Sequence, residues 1–291
     1  MTTVAVLTGD SNNNVLEGTI DDDVIRGKQG NDFIAGLGGD DTLRGGLGFL
    51  DRLFGSGGND FIRDRDGVNG AHGGDGDDRI HVIFAADWDN DENPETSPRS
   101  DGKITGGLGD DRISVRMNDP SFFINIKGDE PGAEDSEDGD DRIHLRGLYA
   151  NSVVDMGGGD DLFTGGVGSD NVSGGSGNDR LRGNDGNDLL LGEAGDDTLV
   201  GGLGNDVLIG GDGADIFGFV EGDGTDTIVD FTTTEDLIRI SGGLTFGDLT
   251  ISPTNGNLDT LIEVTLTGED LAILSGVDSA TLNATHFFSP T

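Results

Sequence analysis

Aspartate returns every nine residues at Asp161, Asp170, Asp179, Asp188, Asp197, Asp206 and Asp215. A carboxylate is a hard oxygen donor, so a row of carboxylates at constant spacing is suited to holding hard cations. The same interval governs apolar residues: two places after each aspartate stand Phe163, Val172, Leu181, Leu190, Leu199, Leu208 and Phe217. Composition bias alone does not phase two residue types together. Units of nine therefore begin at Gly165, Gly174, Gly183, Gly192, Gly201 and Gly210, with aspartate in the sixth place and an apolar residue in the eighth.

The register also runs through the N-terminal part. Units from Gly9, Gly18, Gly27, Gly36 and Gly45 carry Asp23, Asp32 and Asp41 in the sixth place and Leu16, Ile25, Ile34 and Leu43 in the eighth. Asn14 replaces the first aspartate, and the unit from Gly45 is one residue too long, which we place at Leu50. GSGGNDFIR then restores Asp60 and Ile62, and GGDGDDRIH supplies Asp78 and Ile80, whereas 64–72 between them matches poorly. From 81 to 156 the period lengthens. GDDRIHV, GDDRISV and GDDRIHL place Asp78, Asp111 and Asp141 at intervals of 33 and 30, each followed by alternating apolar residues such as Ile113, Val115 and Met117. Alternation with period two marks a strand with one buried face. These are expected to be wider coils of the same stack, with their surplus length in proline-rich, acidic loops.

Elements able to position such residues follow from the glycines. Glycine in the first, second and fourth places permits a tight turn, and the last three places form a short strand with its middle side chain inward. Two units make a coil of 18 residues, and parallel stacking brings equivalent turns about 4.8 Å apart. Each sixth-place aspartate then meets the one eighteen residues on, as Asp179 meets Asp197. Bare carboxylates at that spacing repel strongly. Calcium, which accepts six to eight oxygens in flexible geometry, removes the repulsion better than magnesium, which keeps a strict octahedron and its waters. Main-chain carbonyls of the turns, at Gly166, Gly168, Gly175, Gly177, Gly186, Gly195, Gly202, Gly204, Gly211 and Gly213, would complete the ligand set.

The totals agree. With 54 glycines among 291 residues, 32% hydrophobic residues and a formal net charge of −40, an ordinary globular core is excluded and a folded form needs cations. That charge argues against nucleic acid and anionic membranes as partners. There is no cysteine, hence no disulfide framework or thiolate metal site. The N-terminus MTTVAVLTGD does not read as a signal peptide, and no apolar run is long enough to insert into a membrane.

GGSGNDRLR, GGLGNDVLI and GGDGADIFG resemble the nonapeptide of RTX proteins, the hemolysin-type calcium-binding repeat family. The likeness covers about 9–80 and 156–231. It implies an all-β fold, a parallel β-roll or β-helix solenoid with calcium between successive turns. It also implies an extracellular protein exported by a type I pathway that reads a C-terminal signal. The tail, FGFVEGDGTDTIVDFTTTEDLIRI and TLIEVTLTGEDLAILSGVDSATLNATHFF, resembles the closing β-rich cap of such proteins. Its alternating Ile228, Phe231, Ile238, Ile240, Leu261, Ile262, Val264 and Leu266 suit strands. The expected organisation is an RTX β-roll over 1–80, wider loop-interrupted coils over 81–155, a second RTX β-roll over 156–218, and a cap with the secretion signal over 219–291.

Other residues carry less. Asp87, Asp89 and Asp91 imitate an EF-hand, but Glu92 and Pro98 occupy its glycine and glutamate positions. His72, His81, His144 and His286 have no metal-ligand spacing and are read as surface residues, with His81 and His144 able to pair on equivalent coils. Arg79, Arg112 and Arg142 recur beside the aspartates and are read as offsetting them, while Trp88 and Tyr149 support no binding argument. Outward places seven and nine bring Leu189, Leu191, Val207 and Ile209 together, an aliphatic patch expected to be covered by the cap or by a second molecule. No catalytic motif occurs, so a non-enzymatic calcium-binding component is the first reading and a matrix or surface role fits it. The alternative is an enzyme acting on acidic polysaccharide, or its accessory module, with Asp111, Asp141, His81, His144 and Arg142 as candidates within 81–156.

Overall fold

The computed structural model describes residues 4–48, 50–65, 67–84, 103–117, 123–129, 139–147 and 151–290. Trp88, Tyr149, the acidic residues at 87–92 and Pro98 lie outside them. The chain divides into two compact units, Met1–Gly158 and Gly159–Thr291. Both are parallel β-solenoids in which consecutive strands alternate between two sheets.

In the first unit one sheet stacks Val6–Thr8, Val24–Gln29, Thr42–Leu47, Phe61–Asp64, Arg79–Phe84, Arg112–Met117 and Arg142–Gly147. The other stacks Val15–Glu17, Phe33–Ala35, Asp51–Gly57, Val68–Asp75, Lys103–Leu108, Phe123–Asp129 and Asn151–Gly158. Eighth-place residues stand in register, Ile25 against Leu43, Leu43 against Ile62, Ile62 against Ile80. All four are at most 1% exposed, so each coil adds one apolar layer per sheet to a narrow core. The coils over 81–156 keep this register: Ile80 meets Ile113 and Ile113 meets Ile143 despite the longer intervals. The surplus residue near Leu50 is absorbed in the turn, and Asp51 and Leu53 resume the pattern opposite the Asp32 unit. Even the poorly matching 64–72 supplies a strand, Val68–Asp75, with its register shifted at Asp51/Arg52.

In the second unit Leu162–Thr164, Arg180–Asp185, Thr198–Leu203, Ile216–Phe219 and Leu237–Ile240 form one sheet, and Asn171–Ser176, Leu189–Ala194, Val207–Asp212 and Asp226–Ile228 the other. The cap ends both. Glu269–Leu274 takes the next parallel rung after Asp226–Ile228, and then Asp259–Val264 and Leu249–Thr254 pair antiparallel. Phe287–Phe288 closes the first sheet against Leu237–Ile240. A switch to antiparallel pairing stops the repeat and covers its last apolar layer, as a stack requires. Phe231, buried but between the strands Asp226–Ile228 and Leu237–Ile240, departs from the strand expectation, and so does Leu266. It lies in the turn before Glu269 and is 93% exposed. His286 is buried rather than on the surface, with Nε2 3.1 Å from the Thr233 carbonyl.

Candidate metal centres in the turn columns

Each turn sets its sixth-place aspartate at the start of a strand, where a main-chain N–H of the neighbouring coil has no strand carbonyl to meet. The carboxylate fills that role. Asp179 N–H donates to Asp197 Oδ1 at 2.8 Å, and Asp197 N–H donates to Asp215 Oδ1 at 2.9 Å. One column runs through Asp23, Asp41, Asp60, Asp78, Asp111 and Asp141 in the first unit, with spacings of 2.6 to 2.9 Å from Ala5 N–H onward. In the second unit the corresponding column is Asp161, Asp179, Asp197, Asp215 and Asp236. The other turns align Asn14, Asp32 and Asp51 in the first unit, and Asp170, Asp188, Asp206 and Asp226 in the second.

Sequence reasoning missed three members, Asp51, Asp226 and Asp236. Insertions of one, two and one residues before them break the count of nine while the fold keeps the register. It also missed a second ladder in the fifth place. Asp196 N–H donates to Asn178 Oδ1 and Asn205 N–H to Asn187 Oδ1, at 2.8 and 2.9 Å, and Asp40, Asn59, Asp77 and Asp110 do the same in the first unit. The two ladders run in opposite senses, later coil to earlier in the fifth place and earlier to later in the sixth. The recurring dipeptides Asn-Asp and Asp-Asp were its visible signal.

One hydrogen bond leaves half of many of these carboxylates unused. The Oδ2 atoms of Asp32, Asp41, Asp60, Asp78, Asp111, Asp179, Asp188, Asp197 and Asp206 are buried with no hydrogen-bond partner. A buried, unpaired carboxylate oxygen is costly. Terminal rungs avoid this. Thr19 N–H reaches Asp23 Oδ2 and Thr232 N–H reaches Asp236 Oδ2, both at 2.6 Å.

The electrostatics carry the same strain in the metal-free chain. Burial, as the largest cause, pushes the carboxyls of Asp60, Asp78, Asp188 and Asp197 up to about 7, with neighbouring aspartates of the column adding to the rise. At Asp111, burial and then the Asp141 carboxylate push it to about 9. Asp41, Asp179 and Asp215 reach about 6, chiefly through burial, and Asp32 is raised for the same first reason.

The first-place glycine completes the turn. A Cβ on Gly192 would lie 2.1 Å from Asp197 Oδ2 and 2.5 Å from the Gly210 carbonyl oxygen of the next coil. Only glycine lets this carboxylate and carbonyl approach so closely. In the second place the backbone is left-handed, at Gly175, Gly202 and Gly211 but also at Asn184 (φ 76°) and Glu193 (φ 79°). Among the described residues no three His, Cys, Asp or Glu side chains converge as a metal cluster. A cation in these turns would therefore be held by column carboxylates together with main-chain carbonyls, an all-oxygen set suited to calcium. The unpartnered Oδ2 atoms fit that requirement. The ion would supply positive charge where the columns have none.

These columns are where known repeats match. The RTX calcium-binding nonapeptide repeat matches in four copies, at 17–49, 46–80, 157–190 and 191–218. The chain carries RTX calcium-binding repeats. The RTX segments contain the sixth-place aspartates from Asp23 to Asp78 and from Asp161 to Asp215, whereas Asp111 and Asp141 fall outside them. No curated protein matches the chain. Among solved structures it is similar to the extracellular lipase LipA from Serratia marcescens, with 17% identity and a TM-score of 0.31 over 99% of this chain and 40% of that one. The chain thus spans less than half of that structure's length.

Other expected groupings separate. Asp111 and Asp141 are buried in the column, while His81 and His144 lie on the outward side of the sheet with Ser114 between them, so the two histidines do not pair. Arg79, Arg112 and Arg142 also point outward and form no direct ion pair among the described residues, while Arg79 and Arg112 line one cleft with Asp60 and Asp77. Leu189 meets Val207 and Leu191 meets Ile209, as expected for a patch. The cap does not cover it. It extends the sheet at its open edge, and Val207 stays 36% exposed.

Proposed function

We propose that this is a secreted calcium-binding β-roll protein that folds on meeting Ca²⁺ outside the cell and has no enzymatic role of its own. The observation that carries the reading is the row of buried Oδ2 atoms without partners at the successive RTX turns. Several calcium ions bound by Asp23, Asp32, Asp41, Asp60, Asp78, Asp111, Asp141, Asp161, Asp170, Asp179, Asp188, Asp197, Asp206 and Asp215 with turn carbonyls would turn a repulsive stack into a cohesive one. Ligand bound only by the native state stabilises it by mass action. In calcium-poor cytosol the chain stays expanded, which suits passage through a type I exporter that reads its C-terminal segment, and calcium outside drives folding.

Circular dichroism in chelator and in millimolar calcium tests the switch, with bound metal counted by calorimetry. Equal β-structure in both conditions defeats it. Split placement of Asp111 and Asp141 from His81 and His144 supports a non-enzymatic role, and hydrolysis or cleavage of uronate polymers by the purified chain would reverse that. Self-association through Leu189, Leu191, Val207 and Ile209 belongs to the same reading. Sedimentation of the Leu191→Lys, Ile209→Lys double variant checks it, and an unchanged profile removes it.

A further inference from the structure

The chain has 17 basic residues against 57 acidic ones, yet the basic ones are not scattered. On the outward side of one sheet in the first unit, Arg26 lies opposite Arg44, Arg44 opposite Arg63, and Arg63 opposite His81. Two residues earlier along the strands, Arg79 lies opposite Arg112 and Arg112 opposite Arg142. The strands Val24–Gln29, Thr42–Leu47, Phe61–Asp64, Arg79–Phe84, Arg112–Met117 and Arg142–Gly147 contain one acidic residue, Asp64, and it is buried. None of Arg26, Arg44, Arg63, Arg79, Arg112 or Arg142 makes an ion pair among the described residues.

Like charges directly opposite on neighbouring strands destabilise a sheet. Arg79 and Arg112 share a cleft with Asp60 and Asp77, whereas the cleft around Arg26, Arg44 and Arg63 has no acidic lining residue, and an anion laid there would relieve the repulsion. The field is felt locally: burial first, then the Arg63 and Arg146 guanidiniums, hold the His81 imidazolium pKa below its ordinary value. A cleft of about 410 Å³ opens on the same face, lined by Arg26, Lys28, Arg44, Arg63 and Arg65 around Gly46.

The arginine rows run along the stacking direction, one cation per rung of about 4.8 Å. Guanidinium forks match carboxylates in a bidentate way. An extended polymer with an acid group on every sugar presents anions in the same repeating, linear manner. Bases would need aromatic platforms to stack on. Among the described outward residues of this face, Phe61 is the one aromatic side chain other than His81 and His144.

We propose that this arginine face binds an extended acidic polysaccharide laid along the stack, with Arg26, Arg44 and Arg63 pairing to carboxylates of successive sugars. The proposal rests on the calcium-folded reading, because the register exists only in the folded chain. The probe is a fluorescently labelled oligogalacturonate, too short to gel, titrated with the calcium-saturated full chain. Saturable binding that weakens with added salt is expected, with at least a tenfold loss in both R26E/R44E/R63E and R26Q/R44Q/R63Q. The glutamine triple keeps a folded control should charge reversal prevent folding, and circular dichroism is recorded on each sample. No binding, unchanged affinity in the folded triples, or equal binding of a neutral dextran oligomer overturns the proposal. Tighter binding of single-stranded DNA overturns it in favour of nucleic acid, and arginine-dependent self-association in sedimentation overturns it in favour of a second copy. Failure of wild-type chain to gain β-structure with calcium strikes the calcium reading instead, and is visible in the dichroism before any oligomer is added.

Discussion

Asp197→Asn separates the two roles that each column aspartate plays. The amide keeps an oxygen to accept the Asp179 N–H, now 2.8 Å from Asp197 Oδ1, and replaces the unpartnered Oδ2 by a donor beside the Gly210 carbonyl. An amide already occupies this place at Asn14, whose side-chain Oδ1 accepts the Asp10 N–H at 2.9 Å while its main-chain N–H donates to Asp32 Oδ1 at 2.7 Å. Displacement of the Asp197 carboxyl from 3.8 to about 7, caused first by burial, makes its ionisation in the metal-free fold cost on the order of 4 kcal/mol before screening. Discounted for solvent screening, about 2 kcal/mol of this is expected to remain. Because the folded pKa is raised, the aspartate's favourable contribution is complete below about 3.8 and gone above about 7. At pH 8 in chelator, therefore, the asparagine chain should be about 2 kcal/mol more stable than the wild type, and at pH 4 this advantage should vanish. With calcium the sign reverses, since a charged ligand is lost, and the calcium midpoint should rise about tenfold, a change of about 1.4 kcal/mol. Far-ultraviolet dichroism reads all three: the β-structure kept in chelator at pH 8 and at pH 4 gives the first two, and the calcium midpoint gives the third. If Asp197→Asn were destabilised in chelator as much as Asp197→Ala, the carboxylate's charge would not be the source of strain and the reasoning would fail.

Wild-type chain in chelator should gain β-structure as pH falls from 8 to 4, because Asp60, Asp78 and Asp188, each raised to about 7, become neutral in the fold; saturating calcium at pH 8 should restore the same spectrum. A flat response to pH in chelator would count against buried, charged columns. Gly204→Ala places a Cβ 1.6 Å from the Gly186 carbonyl oxygen at a φ of 142°, so a loss of about 3 kcal/mol in calcium-saturated urea unfolding is expected. Leu37→Gly goes the other way: Leu37 is 49% exposed and holds a left-handed φ of 86°, and relieving that should add about 1 kcal/mol.

The alternation of turn and strand, the single inward residue per rung and the pairing of Asp179 with Asp197 are all legible in the sequence, because each depends on a local, exactly repeated spacing. A nine-residue unit cannot bury its one apolar side chain alone, so the repeat itself demands stacking. The places of Asp51, Asp226 and Asp236 are not legible. Register in a parallel stack is chosen by the apolar layer and the inter-coil hydrogen bonds, which tolerate extra turn residues that a count along the chain does not. Likewise the sequence shows arginines beside aspartates and suggests neutralisation, while the pleat sends them to opposite sides: the aspartates inward to the turn column, the arginines out to a face of their own. Spacing along the chain thus determined which residues repeat. Which oxygens are left unpaired, and which cations share a surface, was decided only when the coils were laid on one another, because both depend on neighbours eighteen to thirty-three residues away.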